Sequence, residues 1–204
     1  MSGSLPAEYF DSLYATAADP WGFATRWYEQ RKYACALAAL PRARYRRGYE
    51  PGCSIGVFTE HLATRCDRLL ATDVAEAPAR AARDRLARLT HVEVQRRAVP
   101  QDWPPGTFDL LVISELGYYL DPVDLQRLWA AATDALEPGG TLLAVHWRHP
   151  VPNYPQTGDD VHAALAATPG LGRLVEHVEE DFRLELYLRI PPAVQSIATQ
   201  TGLR

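Results

Sequence analysis

The segment Glu50-Pro51-Gly52-Cys53-Ser54-Ile55-Gly56 decides the fold of this 204-residue chain. Written as Gly52-x-Ser54-x-Gly56, it has the form of a nucleophile elbow, in which a serine on a strand-to-helix turn attacks the substrate. It is also close to a glycine loop that turns backbone N–H groups toward a bound ligand at the start of a helix. The surrounding sequence discriminates between these two interpretations.

Strand and helix patterns alternate on both sides of this segment. Strands are predicted at residues 45–50, 68–73, 91–97, 108–114 and 141–147. Helices are predicted between them at residues 56–66, 76–89 and 122–136. Asp121 caps the last helix, with Pro122 at its first position. Strand–helix units of this length predict a parallel sheet that is covered by helices on both faces.

The two ends of the chain depart from this alternation. Residues 174–180 and 182–190 are predicted strands with almost nothing between them, so they form an antiparallel hairpin. Residues 1–40 are predicted as an N-terminal helical cap, interrupted at residues 19–22. The predicted fold is therefore an α/β, Rossmann-like, mostly parallel seven-stranded sheet with a terminal hairpin and an N-terminal helical lid. The core spans 41–190, and 191–204 form a loosely ordered tail.

The elbow interpretation lacks the context that it needs. An elbow serine requires an earlier strand that supplies an oxyanion loop, and here the motif follows the first strand. The nucleotide-loop interpretation predicts an acid at the end of the second strand, about 20 residues further on. Asp73 stands at that place. Since Ser54 replaces a glycine and Gly56 comes one position early, the loop suits a ligand without a pyrophosphate.

Four motifs follow one another in a fixed order: Glu50-x-Gly52-x-Ser54-x-Gly56, then Asp73, then the strand 108–114 with Glu115, then Leu136-Glu137-Pro138-Gly139-Gly140. In this order and spacing, residues 45–190 resemble the class I S-adenosylmethionine-dependent methyltransferases. The resemblance implies S-adenosyl-L-methionine as the cofactor, with S-adenosyl-L-homocysteine as its product.

Further segments resemble the nodulation protein S group within that class: Asp19-Pro20-Trp21-Gly22-Phe23, Trp27-Tyr28-Glu29-x-Arg31-Lys32-Tyr33, residues 114–120 and His146-Trp147-Arg148-His149-Pro150. That family is associated with N-methylation of an amino sugar. The resemblance implies N-methylation of a small amine, such as an amino sugar or a natural-product intermediate. An O-methyltransferase for a small hydroxyl compound and a non-catalytic cofactor-binding protein remain as alternatives.

The resemblance also implies the cofactor contacts. The backbone of the glycine loop would lie close to the methionine part of the cofactor. Glu50 would orient the ammonium group of that part, and Asp73 would bind the ribose hydroxyls. The full set of predicted cofactor residues is Trp21, Tyr28, Arg31, Glu50, Gly52, Cys53, Ser54, Gly56, Asp73, Val74, Val99, Gln101, Ser114 and Glu115. The aromatic residues Trp21, Trp27 and Tyr28 of the N-terminal segment could instead form only the hydrophobic face of a helix that packs on the core.

An amine must lose its proton before or during methyl transfer, and histidine is suited to receive it. We therefore predict His146 as the base, with Glu115 and Tyr118 as alternatives. The predicted acceptor site comprises Tyr14, Tyr118, Arg148, His149, Asp159 and His162. His146 could instead be an ordinary loop histidine. No metal site is expected, since the histidines at 146 and 149 lack a third ligand at matching spacing.

Composition excludes several classes of partner. The net charge is −4 with a pI near 5.9, and the arginines are scattered, so nothing favours a nucleic-acid partner. Three cysteines without a C-x-x-C pair indicate a reducing compartment. Since neither a signal peptide nor a membrane span is expected, we predict a cytoplasmic protein. The resemblance implies a small methyl acceptor as its partner, and both a monomer and a homodimer remain open.

Overall fold

The computed structural model describes residues 3–204, so the first two residues of the predicted cap lie outside it. The described part has seven α-helices: α1 (Ala7–Thr16), α2 (Trp27–Ala39), α3 (Val57–Ala63), α4 (Glu76–Leu86), α5 (Pro122–Ala135), α6 (Gly158–Ala166) and α7 (Ile197–Gln200). It has seven strands: β1 (Tyr45–Pro51), β2 (Cys66–Asp73), β3 (Val92–Arg96), β4 (Phe108–Ser114), β5 (Leu136–Trp147), β6 (Leu171–Val178) and β7 (Phe182–Arg189).

All seven strands form one sheet in the order β3-β2-β1-β4-β5-β7-β6. The pairs among β1 to β5 are parallel, whereas β7 runs antiparallel to both β5 and β6. The predicted fold class is thus confirmed, including the terminal hairpin. The strand order reverses between β1 and β4, and ligands of open α/β sheets bind beside the carboxyl ends of the strands at such a reversal.

The central strand β4 shows why helices cover both faces. Successive side chains of a strand point to opposite faces. Leu110 and Val112 pack on one face with α2 and α3, while Leu111 and Ile113 pack on the other with α5 and α6. All four side chains are fully buried. Each therefore stabilises the fold by about 1.5–3 kcal/mol, and the two helical layers fix the position of the strand ends.

Strand β5 starts earlier than predicted. The turn expected at residues 137–140 lies inside the strand as an irregularity, because the register jumps from Phe108 opposite Leu136 to Leu110 opposite Thr141. Gly139 has φ +71°, a left-handed value that suits glycine. The predicted turn before the strand is therefore wrong, and its residues form an irregular first part of β5.

Helix α6 was not predicted. It begins with a capping box, in which the Thr157 hydroxyl accepts the Asp160 N–H and the Asp160 carboxylate accepts the Thr157 N–H. The helix buries Val161, His162 and Leu165 against the sheet. This added layer decides the surroundings of His146, which lies at the end of β5.

The N-terminal segment lies over the carboxyl ends of the strands, as the predicted lid requires. Leu5 N–H donates to the Tyr119 carbonyl at 2.8 Å, and the Phe10 ring packs edge-on against Tyr119 at 4.9 Å between centroids. Among the helices of residues 3–204, none has the length and apolar character that a membrane crossing requires.

Candidate functional site

A cavity of about 340 Å³ lies between the carboxyl ends of the central strands and the N-terminal segment. We call it the loop cavity, since Glu50, Gly52, Cys53 and Ser54 of the glycine loop line it. The predicted residues that line it are Tyr14, Trp21, Glu50, Gly52, Cys53, Ser54, Asp73, Val74, Val99, Gln101, Ser114 and Glu115. The topology thus brings together residues that are far apart in the sequence.

The loop itself turns through three left-handed residues. Gly52 and Gly56 both have φ +76°, and Ser54 has φ +51°. A Cβ on Gly56 would lie 3.0 Å from that of Ala82 in α4, so glycine also lets the loop pack closely on this helix. Gly56 itself does not line the loop cavity. Ser54 occupies a conformation that glycine adopts without strain.

Asp73 is held by the backbone at the end of β2. One carboxylate oxygen accepts the Ser54 N–H at 2.9 Å and the other accepts the Ala75 N–H at 3.0 Å. Burial raises the pKa of Asp73 to about 6, although these N–H groups oppose the shift. The carboxylate is therefore fixed in place at the cavity wall and is available to a hydroxyl donor.

Glu50, at the end of β1, is buried and forms no ion pair with any residue that the structure describes. Its side chain is 3% exposed, and its Oε2 has no hydrogen-bond partner among residues 3–204. Burial, reinforced by the charge of Asp73, raises the pKa of Glu50 to about 8. A buried carboxylate of this kind is costly for a fold unless a cation or donor arrives from outside.

Neither loop side chain is set up as a nucleophile. The Ser54 hydroxyl is hydrogen-bonded to the Tyr14 hydroxyl of α1 at 2.5 Å, and no histidine of the described chain lines the loop cavity. Burial raises the pKa of the Cys53 thiol well above its usual range, and the carboxylates of Asp73 and Glu50 add to the shift. The geometry therefore favours a binding loop over a nucleophile elbow.

A second cavity, of about 460 Å³, lies beside the first. We call it the aromatic cavity, because seven of its wall residues are aromatic: Trp21, Phe23, Tyr28, Tyr118, Tyr119, Trp147 and Tyr154. Both cavities share the side chains of Trp21, Phe23, Glu115 and Tyr119. A molecule in one cavity would therefore lie next to a molecule in the other.

Glu115 stands at the junction of the two cavities. Its backbone has φ +54°, an uncommon value for a residue with a side chain. Its carboxylate accepts from the Lys32 ammonium at 2.6 Å, from the Tyr118 hydroxyl and from the Trp147 N–H at 3.0 Å. Since a carboxylate offers about four acceptor positions, about one remains for a ligand.

Lys32, the only lysine of the sequence, was not predicted as a site residue. It is 2% exposed and lies 2.6 Å from Glu115 and 2.9 Å from Glu29. Burial opposes its charge, but the two carboxylates outweigh this effect and raise the pKa of Lys32. A lone lysine in an arginine-rich chain, three positions after a glutamate on one helix, was the available signal.

Asp124, on the first turn of α5, was also missed. It lines the loop cavity, and its Oδ2 accepts from the Ser4 hydroxyl at 2.8 Å and from the Gln101 amide at 3.1 Å. An acid in the first turn of a helix is common because it interacts favourably with the helix dipole, so no local pattern marked Asp124 for a further role.

The structure does not place His146 where a base would meet an acceptor. The ring is fully buried and lines neither cavity. Its Nε2 accepts the Gly117 N–H at 3.1 Å, and its Nδ1 lies 3.2 Å from Nε2 of His162, whose Nδ1 bonds Glu185 at 2.7 Å. Burial lowers the pKa of His146 well below its usual range. These contacts favour a positioning role for His146 under the Gly117 turn over its predicted role as the base.

Other predicted residues lie outside both cavities as well. Arg148 pairs with Asp159 at 3.0 Å, His149 pairs with Asp181 at 2.8 Å, and His162 is fully buried. Arg31 is an exposed partner of Glu179 at 2.7 Å. Of the predicted acceptor residues, Tyr14 lines the loop cavity and Tyr118 lines the aromatic cavity.

Comparison with known proteins agrees with the predicted family resemblance. The family model described as Nodulation protein S (NodS) matches residues 12–149. Nodulation protein S of Rhizobium tropici is 32% identical over 129 residues, which is 62% of this chain and 54% of that protein. The matched region thus spans about half the length of this curated relative.

Solved structures support the fold. A putative methyltransferase from Pseudomonas syringae is 48% identical, with a TM-score of 0.72 over 80% of this chain and 100% of that chain. The N-methyltransferase NodS from Bradyrhizobium japonicum in complex with S-adenosyl-L-homocysteine has a TM-score of 0.80 at 24% identity, over 92% of this chain and 98% of that chain. At this identity, the second likeness concerns the fold alone.

Proposed function

Because this chain belongs to the nodulation protein S family, we propose that it is an S-adenosylmethionine-dependent methyltransferase that transfers a methyl group to a small amine. One observation carries the proposal. In the loop cavity, Glu50 presents a buried carboxylate oxygen that no described residue hydrogen-bonds, and the backbone-held carboxylate of Asp73 lines the same cavity. A ligand with an ammonium group at one end and vicinal hydroxyls near the other fits this pair of acids.

The remaining lining residues fit the same cofactor. Backbone at Gly52 and Cys53 can approach the amino-acid part closely, since the left-handed glycine removes a side chain from the path. Val74 and Val99 offer apolar contacts for the adenine ring. Asp124 and Gln101 offer an acceptor for its exocyclic amine.

When bound, S-adenosylmethionine would supply a methyl group on a positively charged sulfur, which is already a good leaving group. The chain must then align the acceptor and exclude water. Tyr14, Trp21 and Phe23 of the N-terminal segment line the loop cavity, so they shield the reacting atoms.

The acceptor would enter the aromatic cavity, with its nitrogen directed to Glu115. As the acceptor nitrogen took the methyl group, S-adenosylhomocysteine would be left as the neutral product, and Glu115 or water would take the surplus N–H proton. The free acceptor position of Glu115 receives the amine N–H and orients the lone pair. Tyr28, whose hydroxyl has no partner among the described residues, adds a second contact.

Methyl transfer from labelled S-adenosylmethionine to a panel of small amines and matched alcohols tests the proposal, with products identified by mass spectrometry. We expect N-methylated amines and no methyl ethers. A panel that yields only methyl ethers would replace the amine acceptor by a hydroxyl. Binding of S-adenosylhomocysteine without transfer to any acceptor would instead leave a cofactor-binding protein without turnover.

A further inference from the structure

We infer that Glu185, in the middle of β7, is a positioning residue for the methyl transfer and acts through a buried network of hydrogen bonds. The network runs from Glu185 to His162, on to His146, and ends at the backbone N–H of Gly117. We call it the histidine network. The inference rests on the proposed function, because the turn at Gly117 carries residues of both cavities, while Glu185 itself lines neither.

The proton positions in the histidine network follow from its two ends. At one end, the Gly117 N–H can only donate, and since it lies 3.1 Å from Nε2 of His146, that ring is neutral and carries its proton on Nδ1. Nδ1–H of His146 then donates to Nε2 of His162 at 3.2 Å, which places the second proton on Nδ1 of His162. At the other end, the Glu185 carboxylate can only accept, and its Oε2 lies 2.7 Å from that Nδ1. Both ends therefore require two neutral histidines, each protonated at Nδ1.

The Glu185 carboxylate has all of its acceptor positions occupied. Oε2 accepts from His162 and from the Tyr187 hydroxyl at 3.3 Å. Oε1 accepts from Arg173 at 2.7 Å and from Arg183 at 2.8 Å. Burial opposes the ionisation of Glu185, but the hydrogen bonds from His162 and the two arginines outweigh it and lower the pKa of Glu185 to about 2. Since a carboxylate offers about four acceptor positions, Glu185 has none left for a ligand and acts on the site through His162.

The other end of the histidine network holds the turn that brings acceptor-site residues into place. Gly117 starts a short 3₁₀ turn, with Glu115 two positions before it and Tyr118 directly after it. Both side chains line the aromatic cavity, and Glu115 also lines the loop cavity. A Cβ on Gly117 would lie 2.5 Å from the Val161 side chain of α6, so the turn packs closely on this helix. This contact and the hydrogen bond to His146 together fix the turn, and with it the Glu115 carboxylate.

Glu185→Gln tests the histidine network because an amide cannot serve both of its sides as a carboxylate does. The two arginines need an oxygen, so the amide NH₂ group has to face Nδ1 of His162, which must then accept. The His162 proton moves to Nε2 and faces Nδ1 of His146, which must accept as well. Because a neutral imidazole cannot accept at both nitrogens, the hydrogen bond from the Gly117 N–H is lost.

Nitrogen NMR of histidine-labelled protein reads these proton positions, with the signals assigned by replacing each histidine in turn. In the wild type we expect Nδ1–H on both His146 and His162. In Glu185→Gln we expect Nε2–H on both rings and a shifted Gly117 amide signal. Nε2–H on either ring of the wild type would overturn the inference even if the variant does not fold, and so would Nδ1–H retained on either ring of a folded variant.

Kinetics separate a positioning role from a structural one. For Glu185→Gln we expect kcat/KM for the best methyl acceptor to fall about 10–100-fold, because Glu115 loses its fixed position. S-adenosylhomocysteine affinity should stay within about twofold, since Glu50 and Asp73 do not contact the histidine network. Unchanged kcat/KM in a folded variant would overturn the inference while the proposed function stands. A wild type that binds S-adenosylhomocysteine and methylates no acceptor would overturn both.

Two further variants serve as controls for the charge of Glu185. Glu176→Gln removes a 39% exposed carboxylate that pairs with the same arginines, Arg183 at 2.7 Å and Arg173 at 3.2 Å. Glu176 has no hydrogen bond to either histidine of the network within residues 3–204, so its replacement should change neither the proton positions nor kcat/KM. Glu185→Asp keeps the carboxylate and should retain Nδ1–H on both rings and most of the activity. Loss of activity in Glu185→Asp as large as in Glu185→Gln would contradict the role of the charge.

Discussion

Glu50 and Glu115 are both carboxylates at the ends of neighbouring parallel strands, yet their surroundings are opposite. Within residues 3–204, Glu50 has an oxygen without a hydrogen-bond partner and forms no ion pair, and burial raises its pKa to about 8. Glu115 is paired with Lys32 and accepts from Tyr118 and from the Trp147 backbone. The difference indicates that Glu50 needs a positively charged group from a ligand, whereas residues of the protein itself already neutralise and hydrogen-bond Glu115.

Replacing Lys32, the cation beside Glu115, gives the largest expected effect and so the strongest test of the contrast between Glu50 and Glu115. Lys32→Met leaves Glu115 and Glu29 buried without their cation, so we expect the free energy of unfolding to fall by about 3–5 kcal/mol. We expect kcat to fall about 1,000-fold, since Glu115 loses its fixed orientation. Urea unfolding and steady-state kinetics measure the two effects.

Two matched variants keep the Lys32 test interpretable. Lys32→Arg retains the charge and should lose less of both quantities. Adding Glu29→Gln to Lys32→Met removes one of the two buried carboxylates that have lost their cation. The double variant should recover part of the stability without recovering kcat. A Lys32→Met protein as stable and as active as the wild type would show that Glu115 does not depend on this pair.

Removing the charge of Glu50 should have opposite effects on binding and on stability. Glu50→Gln deletes the partner of the ligand ammonium, and we expect S-adenosylhomocysteine to bind about 100-fold more weakly, as measured by calorimetry. The ligand-free variant should be more stable than the wild type at pH 8.5, with a melting temperature higher by about 2–8 °C. Loss of both binding and stability would indicate a structural role for Glu50 instead.

The direction of the stability effect follows from the raised pKa of Glu50. The folded protein holds this proton up to about pH 8, whereas the unfolded chain releases it near 4.5. The contribution of Glu50 to stability is therefore complete below pH 4.5 and is lost as the pH rises through 8. The gain in Glu50→Gln should accordingly grow between pH 5 and pH 8.5 and vanish at low pH.

His146 tests whether a buried polar residue positions the site without meeting the acceptor. We expect His146→Asn to lower the free energy of unfolding by about 1–3 kcal/mol, because the Gly117 N–H and the His162 ring lose their partner. The pH dependence of kcat should keep its shape. The exposed His149→Asn is the matched control and should leave stability unchanged.

The stability loss in His146→Asn should itself depend on pH. The pKa of His146 is lowered by burial, so its contribution to stability is complete above pH 6.5 and declines as the pH falls below that value. The difference between wild type and variant should therefore narrow below pH 6.5. If one of the pH-dependent transitions of kcat were missing in His146→Asn, the result would support His146 as the base after all.

Ser54→Gly should have the smallest effect. The change relieves a left-handed backbone at φ +51° and removes the hydrogen bond to Tyr14, and these effects nearly cancel. We expect stability to stay within about 0.5 kcal/mol and kcat/KM within about threefold. Tyr14→Phe removes the same hydrogen bond and is the control for the backbone effect. Complete loss of activity in Ser54→Gly would return the loop to a catalytic role.

The residues that line the loop cavity could largely be predicted from the sequence, because they occur at regular spacings relative to the strands. A loop after β1, an acid at the end of β2 and a polar pair after β4 must meet at one edge of a parallel sheet. The predicted Glu50, Asp73 and Ser114 accordingly line one cavity. For these residues, the local sequence pattern and the order of the strands both predict a position at the same edge of the sheet.

The surroundings of Glu115 and His146 could not be predicted from the sequence, because they depend on contacts between residues that are far apart in the chain. Lys32 and Glu115 are 83 positions apart, and nothing local marks either as half of a pair. His146 was taken for an accessible base because helix α6 was not predicted. The Gly158 backbone of α6 lies so close that an added Cβ would be 3.1 Å from that of His146.

The most direct test of the account is proton release when S-adenosylhomocysteine binds. Titration calorimetry at pH 7 in buffers of different ionisation enthalpy counts the protons. Since Glu50 is mostly protonated at that pH in the free protein and would be ionised beside the ligand ammonium, we expect release of about one proton in the wild type and almost none in Glu50→Gln. Tight binding without proton release, or equal release from both proteins, would contradict the assignment of Glu50 and with it the account of the loop cavity.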